Sequence, residues 1–80
     1  MHYVYLLRSS GSPGERYVGM SDDLRQRIKA HNAGKSVHTA KFRPCELVTY
    51  IAFSDKSKAE KFERYLKQGS GHAFANRRLW

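Results

Sequence analysis

Five side chains of this 80-residue sequence have types and spacings that could do chemistry together. Tyr5 and Tyr17 belong to two similar tripeptides, Tyr3-Val4-Tyr5 and Tyr17-Val18-Gly19. Arg27 follows Tyr17 by ten residues, His31 lies four residues beyond Arg27, and Glu63 comes much later. A guanidinium presents paired donors that match planar anions. An imidazole titrates near 6.5, in the range where proton transfer is easy, and a phenol near 10, so a phenol acts as a base only beside cations. A carboxylate can hold a hard metal ion. Each residue also has a plainer reading. Tyrosines on neighbouring strands pack together, an arginine on a helix is often only solvated, and a histidine near a helix C-terminus complements the helix dipole. Glu63 and Lys67 have the i,i+4 spacing of an ordinary helix ion pair, as do Glu60 and Arg64.

The charge pattern favours an anionic partner. Fifteen Lys and Arg stand against seven Asp and Glu, a net charge of +8 and a pI of about 10.0. Arg25, Arg27, Lys29, Lys35, Lys41 and Arg43 fall in one acid-free stretch, and Arg64, Lys67, Arg77 and Arg78 in another. Those two stretches hold ten of the fifteen cations, the footprint of a polyanion binder whose affinity comes from counterion release. The length allows one domain, residues 1–80, with one small core. A single cysteine, Cys45, cannot form an internal disulfide, which points to an intracellular, cytoplasmic protein. Tyr3–Leu7 is far shorter than the roughly 20 apolar residues that span a bilayer, so no membrane segment is expected. His2, His31, His38, His72 and Cys45 lack the paired short spacing of a zinc site.

The elements that must position these residues can be read along the chain. Met1–Arg8 and Arg16–Met20 read as strands of a hairpin joined by the turn-rich segment Ser9–Gly14. Ser21 reads as the N-cap of a helix with Asp22 and Asp23 in its first turn, Leu24, Ile28 and His31 on its inner face, and Gly34 after its end. Residues 34–44 read as a loop. Leu47–Phe53 reads as a third strand, nearly all apolar or β-branched and therefore expected to be buried on both faces. Ser54 reads as the cap of a second helix whose stripe Ala59, Phe62 and Leu66 packs on the sheet. Gly69-Ser70-Gly71 reads as a break before a last helix, His72–Trp80, with Phe74, Leu79 and Trp80 inward. The order β-β-α-β-α-α predicts a small α+β fold, a mostly antiparallel three-stranded sheet flanked by helices.

The two tripeptides, Arg27, His31, Glu63 and the stretches Ser21–Gly34 and Tyr65–Gly71 together resemble the GIY-YIG nuclease family over essentially the whole chain, and most of all its small stand-alone predicted endonucleases. Tyr3 stands where the first motif's glycine would be, and valine replaces isoleucine in both motifs. The resemblance implies a divalent-metal-dependent endonuclease acting on DNA, whether structured, branched or single-stranded, with RNA not excluded and a place in DNA repair or recombination. It implies that Glu63 holds Mg²⁺ or Mn²⁺, that Arg27 grips non-bridging phosphate oxygens, and that Tyr17 orients or deprotonates the attacking water while Tyr5 and His31 complete the proton network. Whether Tyr17 or His31 is the base stays open at this point.

Substrate contacts are expected from Arg25, Lys29, Lys35, Lys41, Arg43 and Lys67, with His38, Thr39 and Asn76 as further candidates. The alternative reading is a non-catalytic nucleic-acid-binding module of the same fold. Such a binder needs the cations but has no use for an acid beside a polyanion site unless a metal bridges them. The short chain leaves no room for a second, targeting domain, so specificity would come from substrate shape, a homodimer or a protein partner.

Overall fold

The first strand becomes the centre of the sheet. In the computed structural model, which describes residues 1–12, 14–35 and 40–80, β1 (His2–Ser9) pairs antiparallel with β2 (Arg16–Ser21) on one side and β3 (Cys45–Phe53) on the other, giving the order β2-β1-β3. Successive side chains on a strand face opposite ways. Val4 and Leu6 therefore serve one layer, Tyr5 and Leu7 the other, and all four are fully buried. Removing each from water contributes about 1.5–3 kcal/mol.

Val4 and Leu6 pack with Ala59 and Leu66 of α2 (Lys56–Leu66) and Ala75 of α3 (Gly69–Arg78), with Phe53, Phe62, Leu79 and Trp80 around them. On the opposite face Tyr5 and Leu7 pack with Cys45, Tyr17, and Leu24 and Ile28 of α1 (Leu24–Asn32). The predicted α+β order is thus realised, with α1 on one face of an antiparallel sheet and α2 and α3 on the other. A short 3-10 turn, Ala40–Phe42, precedes β3. No helix among the described residues is long and apolar enough to cross a membrane.

Four details differ from the sequence expectations. β3 is an edge strand, not one buried on both faces. Leu47 and Tyr50 are 37% and 51% exposed, because β1 has taken the central position and the helices cover it first. α1 is capped by Asp23, whose side chain accepts from the Gln26 N–H, so no acid lies in the first turn. Ser21 is still paired with Tyr3 in the sheet, which moves the helix start onward. α2 is likewise capped by Asp55, which accepts from the Ser57 and Lys58 N–H groups, rather than by Ser54. The break before α3 falls at Lys67 and Gln68 and the helix begins at Gly69; its buried residues are Gly71 and Ala75, while Phe74 is exposed.

The end of α1 is fixed twice. Gly34 adopts φ +79, and its N–H donates to the His31 carbonyl while that of Lys35 donates to Ala30, the paired bonds of a glycine-terminated helix. Asn32 then joins α1 to β3, its Nδ2 donating to the Cys45 carbonyl at 3.1 Å and its Oδ1 accepting from the Cys45 N–H at 2.7 Å. The helix that carries Arg27 and His31 is therefore held to the sheet at its C-terminal end.

Candidate active site

The register of β1 and β2 creates the passage on which the site depends. Tyr5 lies opposite Gly19, and Leu7 opposite Tyr17, two residues earlier on β2. Gly19 has no side chain, so the Tyr5 ring passes over it. A Cβ built there would stand 2.5 Å from the Tyr5 hydroxyl and 2.7 Å from Cε2 of Tyr17. On α1, Arg27 and His31 share the helix face of Leu24 and Ile28, and docking of that face on Tyr5 and Leu7 brings them to the phenols.

A buried cluster results. Tyr5 Oη and His31 Nε2 are 3.0 Å apart, and Arg27 Nε donates to Tyr5 Oη at 3.2 Å. Arg27 also acts electrostatically on Tyr17, so one cation bears on both phenols. The ring centroids of Tyr17 and His31 are 5.1 Å apart, those of Tyr5 and His31 5.8 Å, and those of Tyr5 and Tyr17 6.2 Å. Tyr5 and His31 are fully buried, Tyr17 is half-buried, and Arg27 keeps an exposed side.

The electrostatics assign different states to these groups. Burial raises the Tyr5 pKa, more than the Arg27 hydrogen bond lowers it, with the Tyr17 and Glu63 charges adding to the rise; Tyr5 remains a neutral phenol. Burial, and then the Arg27 charge, lowers the His31 pKa below 6.5, so the imidazole is neutral at pH 7. That opposes the dipole-stabilised imidazolium reading of this residue. Arg27 is raised further by its bonds to Tyr5. With Arg27 donating to the Tyr5 oxygen, the phenol proton is available for Nε2 of the neutral imidazole.

Glu63 approaches from the other layer. On α2 it stands beside the buried stripe, with its side chain 23% exposed and 3.6 Å from Lys67 Nζ, and its charge is felt at Tyr5. It is the carboxylate of the expected set that could hold a metal. A hard ion such as Mg²⁺ or Mn²⁺ accepts a single protein carboxylate when waters and phosphate oxygens supply the rest, and a partly exposed carboxylate paired with a lysine is chemically suited to that demand. Among the described residues, no three His, Cys, Asp or Glu groups converge as a metal cage.

A groove of about 660 Å³ runs beside Tyr17 and is bounded by Arg16, Phe42, Lys67, His72 and Trp80. Lys67 thus lines the same groove as Tyr17 and pairs with Glu63. Arg25 and Lys29 do not join the cluster, because each is two residues from Arg27 and so on the far side of α1; Arg25 lines a separate groove with Tyr3 and Tyr50. Lys35, Lys41 and Asn76 are exposed, and the exposed Arg43 donates from Nε to the Ala40 carbonyl. His38 and Thr39 lie outside the described residues. Arg16 and Trp80 are additions to the sequence reading. The Arg16 guanidinium sits 4.7 Å over the Trp80 ring at the groove wall, a contact between the second strand and the chain's last residue that no local spacing announces.

The GIY-YIG catalytic domain model matches residues 1–77. The UPF0213 protein of Lacticaseibacillus paracasei is 36% identical over 72 residues, which cover 89% of this chain and 79% of that protein. UPF0213 protein YazA of Bacillus subtilis is 35% identical over 68 residues, 84% of this chain and 67% of the relative. The solution NMR structure of UPF0213 protein BH0048 from Bacillus halodurans superposes with a TM-score of 0.56 at 34% identity, covering 94% of this chain and 79% of that one. These relatives' names state no activity.

Proposed function

The chain belongs to the GIY-YIG family, whose domain is of nuclease type, and from that premise and the site geometry we propose that it is a divalent-metal-dependent endonuclease hydrolysing phosphodiester bonds in DNA. The observation that carries the reading is the joining of Tyr5, Tyr17 and His31 around Arg27, with the Glu63 carboxylate within electrostatic reach. A binding module needs cations alone and has no use for buried phenols linked to an imidazole.

Hydrolysis forms a bond from a water oxygen to phosphorus and breaks a phosphorus–oxygen ester bond. One proton must leave the water and the departing oxygen must gain one. Tyr17 is the member of the network that lines the groove, so it contacts the attacking water and accepts or orients its proton. Tyr5 is too buried and too firmly protonated to be the base; it links Arg27 to His31 and holds both in place. Arg27, bound to the Tyr5 phenol on one side and exposed on the other, turns its remaining N–H groups to the non-bridging oxygens. Glu63 would hold Mg²⁺ or Mn²⁺, and Lys67 contacts the phosphate from the same side. When bound, such an ion neutralises charge developing on the phosphate and eases departure of the leaving oxygen.

The test is a cleavage screen of the wild-type chain on end-labelled duplex, single-stranded, flapped and four-way DNA, and on RNA, with Mg²⁺, Mn²⁺ or chelator. Metal-dependent cleavage of at least one DNA is expected. Tight binding without cleavage under every metal condition would instead make the chain a nucleic-acid-binding module.

A further inference from the structure

Glu63 occupies one flank of the buried stripe on α2, and the other flank carries an aromatic series that the proposed chemistry does not use. The rings run outward from the core. Phe53 and Phe62 have centroids 5.5 Å apart, Phe62 and Tyr65 6.0 Å, and Tyr65 and Phe74 6.3 Å. The first two are half-buried, whereas Tyr65 and Phe74 are 43% and 38% exposed. At 3.6 residues per turn, Lys58 and Lys61 share the Tyr65 face of α2, and Arg77 and Arg78 follow Phe74 by three and four residues on α3. All four cations are exposed. Glu60 and Glu63 point roughly 140–160° away from Tyr65 around α2.

We propose that this face binds single-stranded nucleic acid, with bases stacking on Tyr65 and Phe74 and the backbone passing along Lys58, Lys61, Arg77 and Arg78. Rings in contact with a chain of core aromatics are already ordered, so stacking a base on them sacrifices little side-chain freedom. The neighbouring cations supply charge complementarity to phosphates, and neither carboxylate of α2, Glu60 or Glu63, faces this side. Duplex bases hide their faces in the helical stack, whereas unpaired bases offer theirs, so the partner is a single strand and its sequence matters little. A protein partner accounts for the rings but leaves four cations uncompensated. The inference rests on the family's nucleic-acid binding for the class of partner, but not on cleavage, since the face lies on the far flank of α2 from Glu63.

Fluorescence anisotropy with a labelled oligothymidylate, and with a duplex of equal length, tests this in metal-free buffer. The wild type should prefer the single strand. Tyr65→Ala with Phe74→Ala should weaken single-strand binding about tenfold or more while changing duplex binding less, and Tyr65→Trp should retain it. Lys58→Ser with Lys61→Ser, both exposed and safe for folding, should flatten the dependence of log K on log salt by about 1.4 units for two lost phosphate contacts. Wild-type preference for duplex, or unchanged single-strand affinity and salt slope in the variants, would overturn the proposal. So would an effect of the aromatic variant on self-association alone in sedimentation. Because Tyr17, Arg27 and Glu63 stay intact and no metal is added, these outcomes are independent of whether the chain cleaves DNA.

Discussion

Replacing Gly19 by alanine asks whether the passage of Tyr5 across β2 is what assembles the site. The added Cβ would stand 2.5 Å from the Tyr5 hydroxyl, 2.6 Å from Cζ and 2.7 Å from Tyr17 Cε2. Comfortable contacts between heavy atoms begin near 3.5 Å, so something must move by about 1 Å. The Tyr5 ring cannot give way cheaply. It is fully buried, and its hydroxyl is held by His31 at 3.0 Å and by Arg27 at 3.2 Å. Overpacking of this kind costs about 1–3 kcal/mol, which in a domain of this size lowers Tm by roughly 5–20 °C. A 1 Å misplacement in a catalytic constellation lowers the rate by about 10²-fold. Gly11→Ala is the control, since a Cβ there meets nothing within 4 Å. Thermal melts and single-turnover cleavage of the best DNA found in the substrate screen provide the readouts. If Gly19→Ala melts and cleaves like Gly11→Ala, the steric argument is wrong and Tyr5 does not depend on this passage.

Other perturbations follow from the same cluster. Tyr5→Phe keeps the ring but deletes the hydroxyl between Arg27 and His31; it should cost about 1–3 kcal/mol in urea unfolding and lower the cleavage rate at saturating DNA, and normal values of both would contradict the network. Because His31 is harder to protonate when folded than when unfolded, its contribution to stability is complete above pH 6.5 and is lost as the pH falls below 6.5 toward the lowered folded value. Urea midpoints measured from pH 7.5 down to 5 should therefore drop more for wild type than for His31→Gln, and parallel curves would remove the buried neutral imidazole. Arg27→Lys retains the charge but has no Nε–H to hold the Tyr5 hydroxyl and no fork for the phosphate; cleavage should fall by more than about tenfold, and full activity would show that charge alone suffices.

The sequence located the candidate cluster more readily than the layering. Tyr5, Tyr17, Arg27 and His31 could be placed on neighbouring elements because strand alternation and helical spacing are local rules, and Leu24, Ile28 and His31 marked the face of α1 that docks. The central strand was harder to identify. Leu47–Phe53 is the more continuous apolar run, yet β1, flanked by Arg8 and interrupted by tyrosines, is the strand buried on both faces. Pairing partners decide that, and they are not local. The caps shifted from Ser21 to Asp23 and from Ser54 to Asp55. Serine and aspartate both cap helices, and at α1 the pairing of Ser21 with Tyr3 in the sheet moved the cap onward. Gly71 reads in the sequence as part of a break between helices, but it lies within α3 at a point of close helix contact where a side chain would collide with the Tyr65 carbonyl. Glu63, one residue beyond Phe62, could be placed at the margin of the buried stripe from spacing. Its influence on Tyr5 required the structure.

Glu63 is proposed to supply the metal site of a nuclease whose phenols and arginine act on the same phosphate. Comparing wild type with Glu63→Gln in single-turnover cleavage with Mg²⁺, while measuring DNA affinity by anisotropy, tests it most directly. The substitution preserves size and removes the charge. Cleavage is expected to be abolished while affinity is equal or tighter, since a carboxylate no longer repels the backbone. Wild-type cleavage by Glu63→Gln would contradict it.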